Sequence, residues 1–219
     1  MFLGHFAVAL AAKRVAPRQS LGTLFLAAQF ADLLWPALLL AGVEQVRIDP
    51  AARPIPLVFE HYPYSHSLLA LTLWGVALGA VAWAVTRDRI GAAVVAALVV
   101  SHWLLDALVH RPDLPLAFGH GPLIGLSLWS SNLATLLLEL TLFAAGLGLY
   151  LRVRPAQRRR VAFWTLIVVL LAIYAGDRFG GSVPPSVAAV AWVTQAMWLF
   201  VAWAWWLDRP APAPVRASS

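Results

Sequence analysis

Apolar residues run along this chain in long blocks, separated by short segments that hold most of the charge. Blocks at about 20–45, 67–86, 90–110, 129–151, 161–177 and 185–207 approach or exceed the roughly 20 residues that a helix needs to cross a hydrocarbon core. Lipid satisfies no backbone polar group, so uninterrupted runs of this kind must be helical. The pattern therefore predicts an all-α, polytopic membrane protein with about six transmembrane helices, in a single helical domain over residues 1–208. Residues 1–12, MFLGHFAVALAA, form a further apolar stretch that rises only ~18 Å as a helix. It reads as a half-length or re-entrant helix that ends at the surface near Lys13. Its positive charges follow the apolar run, the reverse of a secretory signal. The Pro/Ala-rich residues 209–219 are expected to form a disordered cytoplasmic tail.

Composition supports this reading. Of the residues, 61% are hydrophobic and 12% charged, with a mean hydropathy of +0.77, where a soluble domain carries about 25% charged residues. The net charge of +6 does not imply nucleic acid, because the arginines stand mostly between apolar runs, where they set topology and meet anionic headgroups. Twelve basic residues fall in one set of connections and four, Arg47, Arg53, Arg111 and Arg178, in the other. The richer set, with both termini, is expected in the cytoplasm. The proline-bearing segments 46–66 and 111–128 then face outward as ordered caps. Trp203, Trp205 and Trp206 suit interfacial anchors. Cysteine is absent, which excludes disulfides and thiolate metal sites. Any metal must use imidazole, carboxylate or water.

Within this frame all six histidines fall in the membrane or on the outer side. The third long run carries SHWLLDALVH, in which His102, Asp106 and His110 recur every four residues and share one helix face. Such a pair either binds an ion together or hydrogen-bonds to hold helices together. Counted along the helices from the cytoplasmic side, Asp32 and His102 both come ~18 Å up, His5 ~12 Å, and His66 enters from the outer end. Five ligand-type side chains thus converge near one level, and ionisable groups in lipid require partners. Asp32 precedes Pro36 by four residues, so the proline leaves the Asp32 carbonyl without its helix donor and a kink is expected there. Glu139 reads either as an acceptor for a ligating histidine or as a protonated packing carboxyl. Ser65 and Ser67 flank His66, and Ser65 suits an N-cap. His61, His110, Asp113 and His120 lie in outer loops or at helix ends, where a solvated role competes with a chemical one. Nucleophile-elbow and phosphate-loop motifs are missing.

The segments GHFAVALAAKR, FADLLWP, HYPYSHSLLAL, SHWLLDALVH and GLSLWSS together resemble, in the family's order over about residues 1–130, the bacterial inner-membrane proteins described as LexA-binding or LexA-regulated metal-dependent hydrolases. That family is in turn similar to zinc-dependent phospholipase C. The resemblance implies Asp32, His66, His102 and Asp106 around one metal, with His5 and Asp106 around a second. The sequence departs from the pattern in three places. FADLLW lacks the usual proline before the aspartate and the second acid after it, the His61 segment lacks its arginine, and no later HxxxE or HxxxD pair completes a three-metal site. One or two divalent ions, zinc by ligand type, are therefore expected.

The leading expectation is a membrane-embedded metal-dependent hydrolase whose metal activates water against a lipid-linked phosphoester or ester. His61 or His110 would shuttle the proton, and Ser67 and Glu139 would support the ligands from behind. Its partners would be membrane lipids and an amphiphilic substrate, not nucleic acid. Two other classes fit the same residues. One is a proton- or cation-coupled transporter using Asp32, His102, Asp106 and Glu139; the other is a non-catalytic scaffold holding a structural metal.

Overall fold

The computed structural model describes residues 1–52, 55–119, 121–153, 159–180 and 182–208. His120, Arg53 and the tail 209–219 lie outside the described residues. The chain is built from helices α1 (Leu3–Ala12), α2 (Leu21–Ala28), α3 (Phe30–Leu40), α4 (Pro63–His66), α5 (Leu68–Thr86), α6 (Arg89–Val109), α7 (Asn132–Val153), α8 (Arg160–Phe179), α9 (Val187–Gln195) and α10 (Met197–Asp208). Five are long and apolar enough to cross a membrane when α9 and α10 are taken as one run, and the bent pair α2–α3 makes up to six. The caps that join them at one end carry the little sheet structure there is. Strands β1 (Gln45–Ile48) and β2 (Leu57–His61) form an antiparallel hairpin, and β3 (Leu114–Pro115) pairs with β4 (Leu123–Ile124). Arg111 Nη2 donates to the Leu57 carbonyl at 2.7 Å, tying the two caps together.

Close helix approach comes from small residues. Gly75 and Gly79 of α5 lie one turn apart against α6, where a Cβ on Gly75 would stand 2.8 Å from the Ala96 carbonyl oxygen. Such small-residue pairs let membrane helices pack backbone to backbone. The same device seats α1 on α7: a Cβ on Gly146 would lie 2.2 Å from the Ala7 carbonyl oxygen.

Helix α1 is an interior element. Seven of its ten residues are buried, among them His5 and Phe6. A helix this short leaves unpaired backbone donors at its start, and the backbone N–H groups of Phe2 and Leu3 donate to Glu139 Oε2 at 2.9 and 2.7 Å. At its other end Lys13 Nζ donates to Asp208 Oδ2 at 2.8 Å and to the Gln19 carbonyl. Lys13 itself is covered, with its side chain 4% exposed, and Arg14 and Val15 just past the helix end are exposed. Met1 is buried in the bundle beside Asp106, while Asp208 lies with Lys13.

The first long apolar run is broken, but not at the proline. Pro36 sits inside α3, and the chain instead turns by 58° between α2 and α3 at Gln29, whose φ of −100° and ψ of 8° leave the helical region for the bridge region. This break lies three residues before Asp32. The last run packs over the broken one, α9 against α3 and α10 against α2.

Candidate metal centre

The helix break, the interior helix and the long helix α6 meet at one place. There the structure brings together His5 (α1), Asp32 (α3), His66 (α4), His102 and Asp106 (α6). Two triads, His5–Asp32–His102 and His66–His102–Asp106, have ligand atoms all within 4.8 Å of one another. His66 Nε2 is 3.5 Å from Asp32 Oδ1, and His102 Nε2 is 3.8 Å from Asp32 Oδ1 and 3.2 Å from Asp106 Oδ2. The His5 ring stacks on that of His102 with centroids 3.7 Å apart, and its Nε2 lies 3.1 Å from Asp106 Oδ1. Asp106 is also ion-paired with the Met1 amine. The three histidines and Asp106 are almost fully buried, whereas the Asp32 side chain is 26% exposed.

The tautomers follow from what stands behind each ring. His102 Nδ1 lies 2.8 Å from the carbonyl oxygen of Ala28, the last residue of α2. That oxygen only accepts, so Nδ1 carries a proton and, in the neutral ring, Nε2 presents its lone pair to Asp32 and Asp106. His66 Nδ1 is 2.7 Å from Ser65 Oγ, whose own proton goes to Glu44 Oε2 at 2.6 Å. His66 therefore also turns a bare Nε2 inward. His110, one turn beyond Asp106, places Nδ1 3.0 Å from Asp113 Oδ1 and Nε2 3.8 Å from Asp106 Oδ2. Asp113 accepts as well from the Tyr62 hydroxyl at 3.0 Å. Burial, and then the Asp113 carboxylate, push the Tyr62 phenol well above its ordinary value, so it stays a donor. Three imidazoles held from behind, with a bare nitrogen facing carboxylates, are the arrangement by which proteins orient metal-binding histidines.

The donor set fits a divalent ion. His102 Nε2 is buried and makes no hydrogen bond, and a buried polar atom left unpaired costs roughly 1–3 kcal/mol. An ion shared with Asp32 and Asp106 would satisfy it. Imidazole nitrogen and carboxylate oxygen suit zinc.

Other expected site residues land elsewhere. His61 ends β2, exposed, with its ring 6.3 Å from that of Tyr64, and is not in the cluster. Ser67, expected behind a ligand, caps α5 by accepting from the Ala70 N–H. Ser65, expected as the cap, stands behind His66 instead. Among the described residues Glu139 meets no histidine. It receives the start of α1 and lies 3.5 Å from Arg178 Nη2, so it bears on the cluster by seating the helix that carries His5. Sequence reasoning missed Glu44, a lone acid after an apolar run with no spacing to mark it. It also missed the pairing of Asp113 with Tyr62, although the i, i+3 spacing from His110 to Asp113 was a usable signal.

A cavity of about 600 Å3 opens on the cluster. Asp32, His66, Asp106 and His110 line it, together with Val183, Pro184, Val190 and Val193 from α9 and the segment before it. Trp35, Phe59 and Trp129 also contribute, with the Trp129 ring centroid 4.1 Å from that of His110. The lining thus mixes ionisable side chains with apolar ones, and Asp177, Ser182 and Thr194 add polar groups from the α8–α9 region.

Comparison with known proteins places these features in a family. Neither the curated proteins nor the solved structures give a match to the chain. A family model described as YdjM inner membrane protein matches residues 1–180, which takes in α1 through α8 and every residue of the cluster, and leaves α9 and α10 beyond it. With that match over most of its length and its series of apolar helices, the chain is a multi-pass membrane protein that belongs to the YdjM inner membrane protein family.

Proposed function

We propose that the protein is a membrane-embedded, metal-dependent hydrolase acting on a lipid-linked or amphiphilic phosphoester or ester. The observation that carries this reading is the cavity, which joins a buried histidine–carboxylate cluster to the valines Val183, Val190 and Val193. His5, Asp32, His66, His102 and Asp106 would hold one or two divalent ions, zinc by ligand type. A bound ion there supplies Lewis acidity, which makes water a nucleophile at neutral pH and stabilises charge developing on an ester oxygen.

The chain's own residues supply the rest. Asp32, the most exposed of the five, presents its carboxylate to the cavity and can accept a hydrogen bond from an incoming water. His110, oriented by Asp113 and lining the same cavity, is placed to take a proton at Nε2 and pass it on, as a general base and acid. The apolar surface of Val183, Val190 and Val193 excludes water and receives an aliphatic chain, leaving a polar ester at the level of the histidines. The excess of basic residues in the connections opposite the caps supports an outward-facing site.

The test is hydrolysis by purified protein of a panel of lipid phosphoesters and esters presented in liposomes. Turnover that is abolished by a chelator and restored by zinc supports the reading. Absence of turnover across the panel by zinc-loaded protein, with zinc- or proton-coupled flux into the liposomes, would replace it with a transporter.

A further inference from the structure

We propose that Glu44 is a positioning residue that acts through Ser65 to hold His66 with its Nε2 turned toward Asp32. Glu44 lies just past the end of α3 in the segment leading to β1 and is 2% exposed. Its Oε1 accepts the backbone N–H groups of Tyr64 and Ser65, both at 2.8 Å, and its Oε2 accepts the Ser65 hydroxyl at 2.6 Å. Three donors thus converge on one carboxylate. A serine has one proton to give, and here it is given to Glu44. Ser65 Oγ can then only accept from His66 Nδ1, 2.7 Å away. The proton of His66 is fixed on Nδ1, which leaves Nε2 bare at 3.5 Å from Asp32 Oδ1.

The local fold enforces this geometry. Helix α4 is a single turn between Pro63 and His66 with no side-chain cap of its own, and the two backbone bonds to Glu44 anchor that turn to the end of α3. The same carboxylate therefore fixes the backbone that carries His66 and the proton on its ring. His102 takes its orientation from a carbonyl and His110 from an aspartate. His66 alone of the three is held through a hydroxyl, so the contact can be removed without touching the carboxylate or its backbone bonds. A carboxylate behind a ligating histidine raises its basicity, and removing such a partner typically costs 10–100-fold in metal affinity. The effect on affinity rests on the metal reading above; the tautomer does not.

The experiment uses full-length protein labelled with 15N-histidine in detergent micelles, comparing wild type, Ser65→Ala and Glu44→Gln. In metal-free wild type, the His66 ring nitrogens should report a protonated Nδ1 and a bare Nε2. Ser65→Ala, which leaves both backbone bonds to Glu44 intact, should lose that single tautomer and weaken zinc binding by about 10–100-fold in chelator competition, with thermal unfolding near that of wild type. Glu44→Gln should weaken zinc binding in the same direction. An unchanged His66 tautomer in Ser65→Ala would overturn the relay, and so would wild-type zinc affinity in Ser65→Ala if the wild type binds zinc. If wild type binds no zinc, the metal reading fails and the tautomer shift alone decides the relay.

Discussion

Asp106 follows His102 by one turn of α6, and its Oδ2 stands 3.2 Å from His102 Nε2, while the Nδ1 side of the His102 ring is held by the Ala28 carbonyl. In the neutral ring Nε2 and Oδ2 are both acceptors, and two buried acceptors that face each other repel unless a cation lies between or beside them. Around this pair the Met1 amine and His5 already crowd the other carboxylate oxygen, Oδ1. The Met1 amine already answers the charge of Asp106 at Oδ1, and Oδ2, His102 Nε2 and Asp32 Oδ1 are the donor atoms left to face a divalent ion.

The seating of α1 gives a first prediction. Because a Cβ on Gly146 would meet the Ala7 carbonyl at 2.2 Å, Gly146→Val must displace α1 and with it His5. Overpacking of this kind costs roughly 1–3 kcal/mol, so thermal unfolding followed by circular dichroism in detergent should show a clearly lower midpoint. Gly148→Val is the control, since a Cβ there meets nothing within 4 Å, and its midpoint should match wild type. Equal midpoints for the two variants would contradict the tight α1–α7 contact.

Much of this architecture was legible in the sequence, for identifiable reasons. The long apolar runs marked the spans because a bilayer tolerates only self-satisfied backbone, and the four-residue rhythm of His102, Asp106 and His110 marked one helix face. The depth estimate brought Asp32 and His102 to one level, and they lie 3.8 Å apart. The bend was placed wrongly: Pro36 was the visible breaker, yet the chain turns at Gln29, a residue with no breaker chemistry. The partners behind the histidines were legible only in part. Ser65 and Ser67 are chemically alike and two residues apart, so only the backbone path through α4 decides which one caps a helix and which one meets His66. Glu44 reaches His66 across 22 residues of hairpin and turn, a contact that no local spacing encodes.

A second prediction concerns orientation and uses the absence of cysteine. With the basic-rich connections in the cytoplasm, a single cysteine at Glu60→Cys, on the exposed hairpin, should react with a membrane-impermeant maleimide in intact cells. Arg152→Cys, exposed at the far end of α7, should react only after permeabilisation. The reverse pattern would invert the topology and move the cavity to the cytoplasmic face.

The valines of the cavity give a third. Val190 lines the cavity and is none of the proposed ligands. Val190→Trp should leave zinc content unchanged while lowering turnover of a long-chain lipid phosphoester in liposomes by about tenfold, the size expected for roughly 1.4 kcal/mol of lost transition-state binding. A short-chain analogue should suffer less. Loss of zinc in this variant, or equal losses for both substrates, would contradict a role for these valines in receiving the aliphatic chain.

The central claim, that the buried cluster is a metal centre, is tested most directly by elemental analysis of purified protein. Wild type and His61→Ala, altered at an exposed residue outside the cluster, should retain near-stoichiometric zinc or another divalent ion. His102→Ala and Asp106→Asn should lose most of it while keeping the helical circular dichroism of the wild type. Equal metal content in all four proteins, or none in wild type after zinc loading and desalting, would contradict the account.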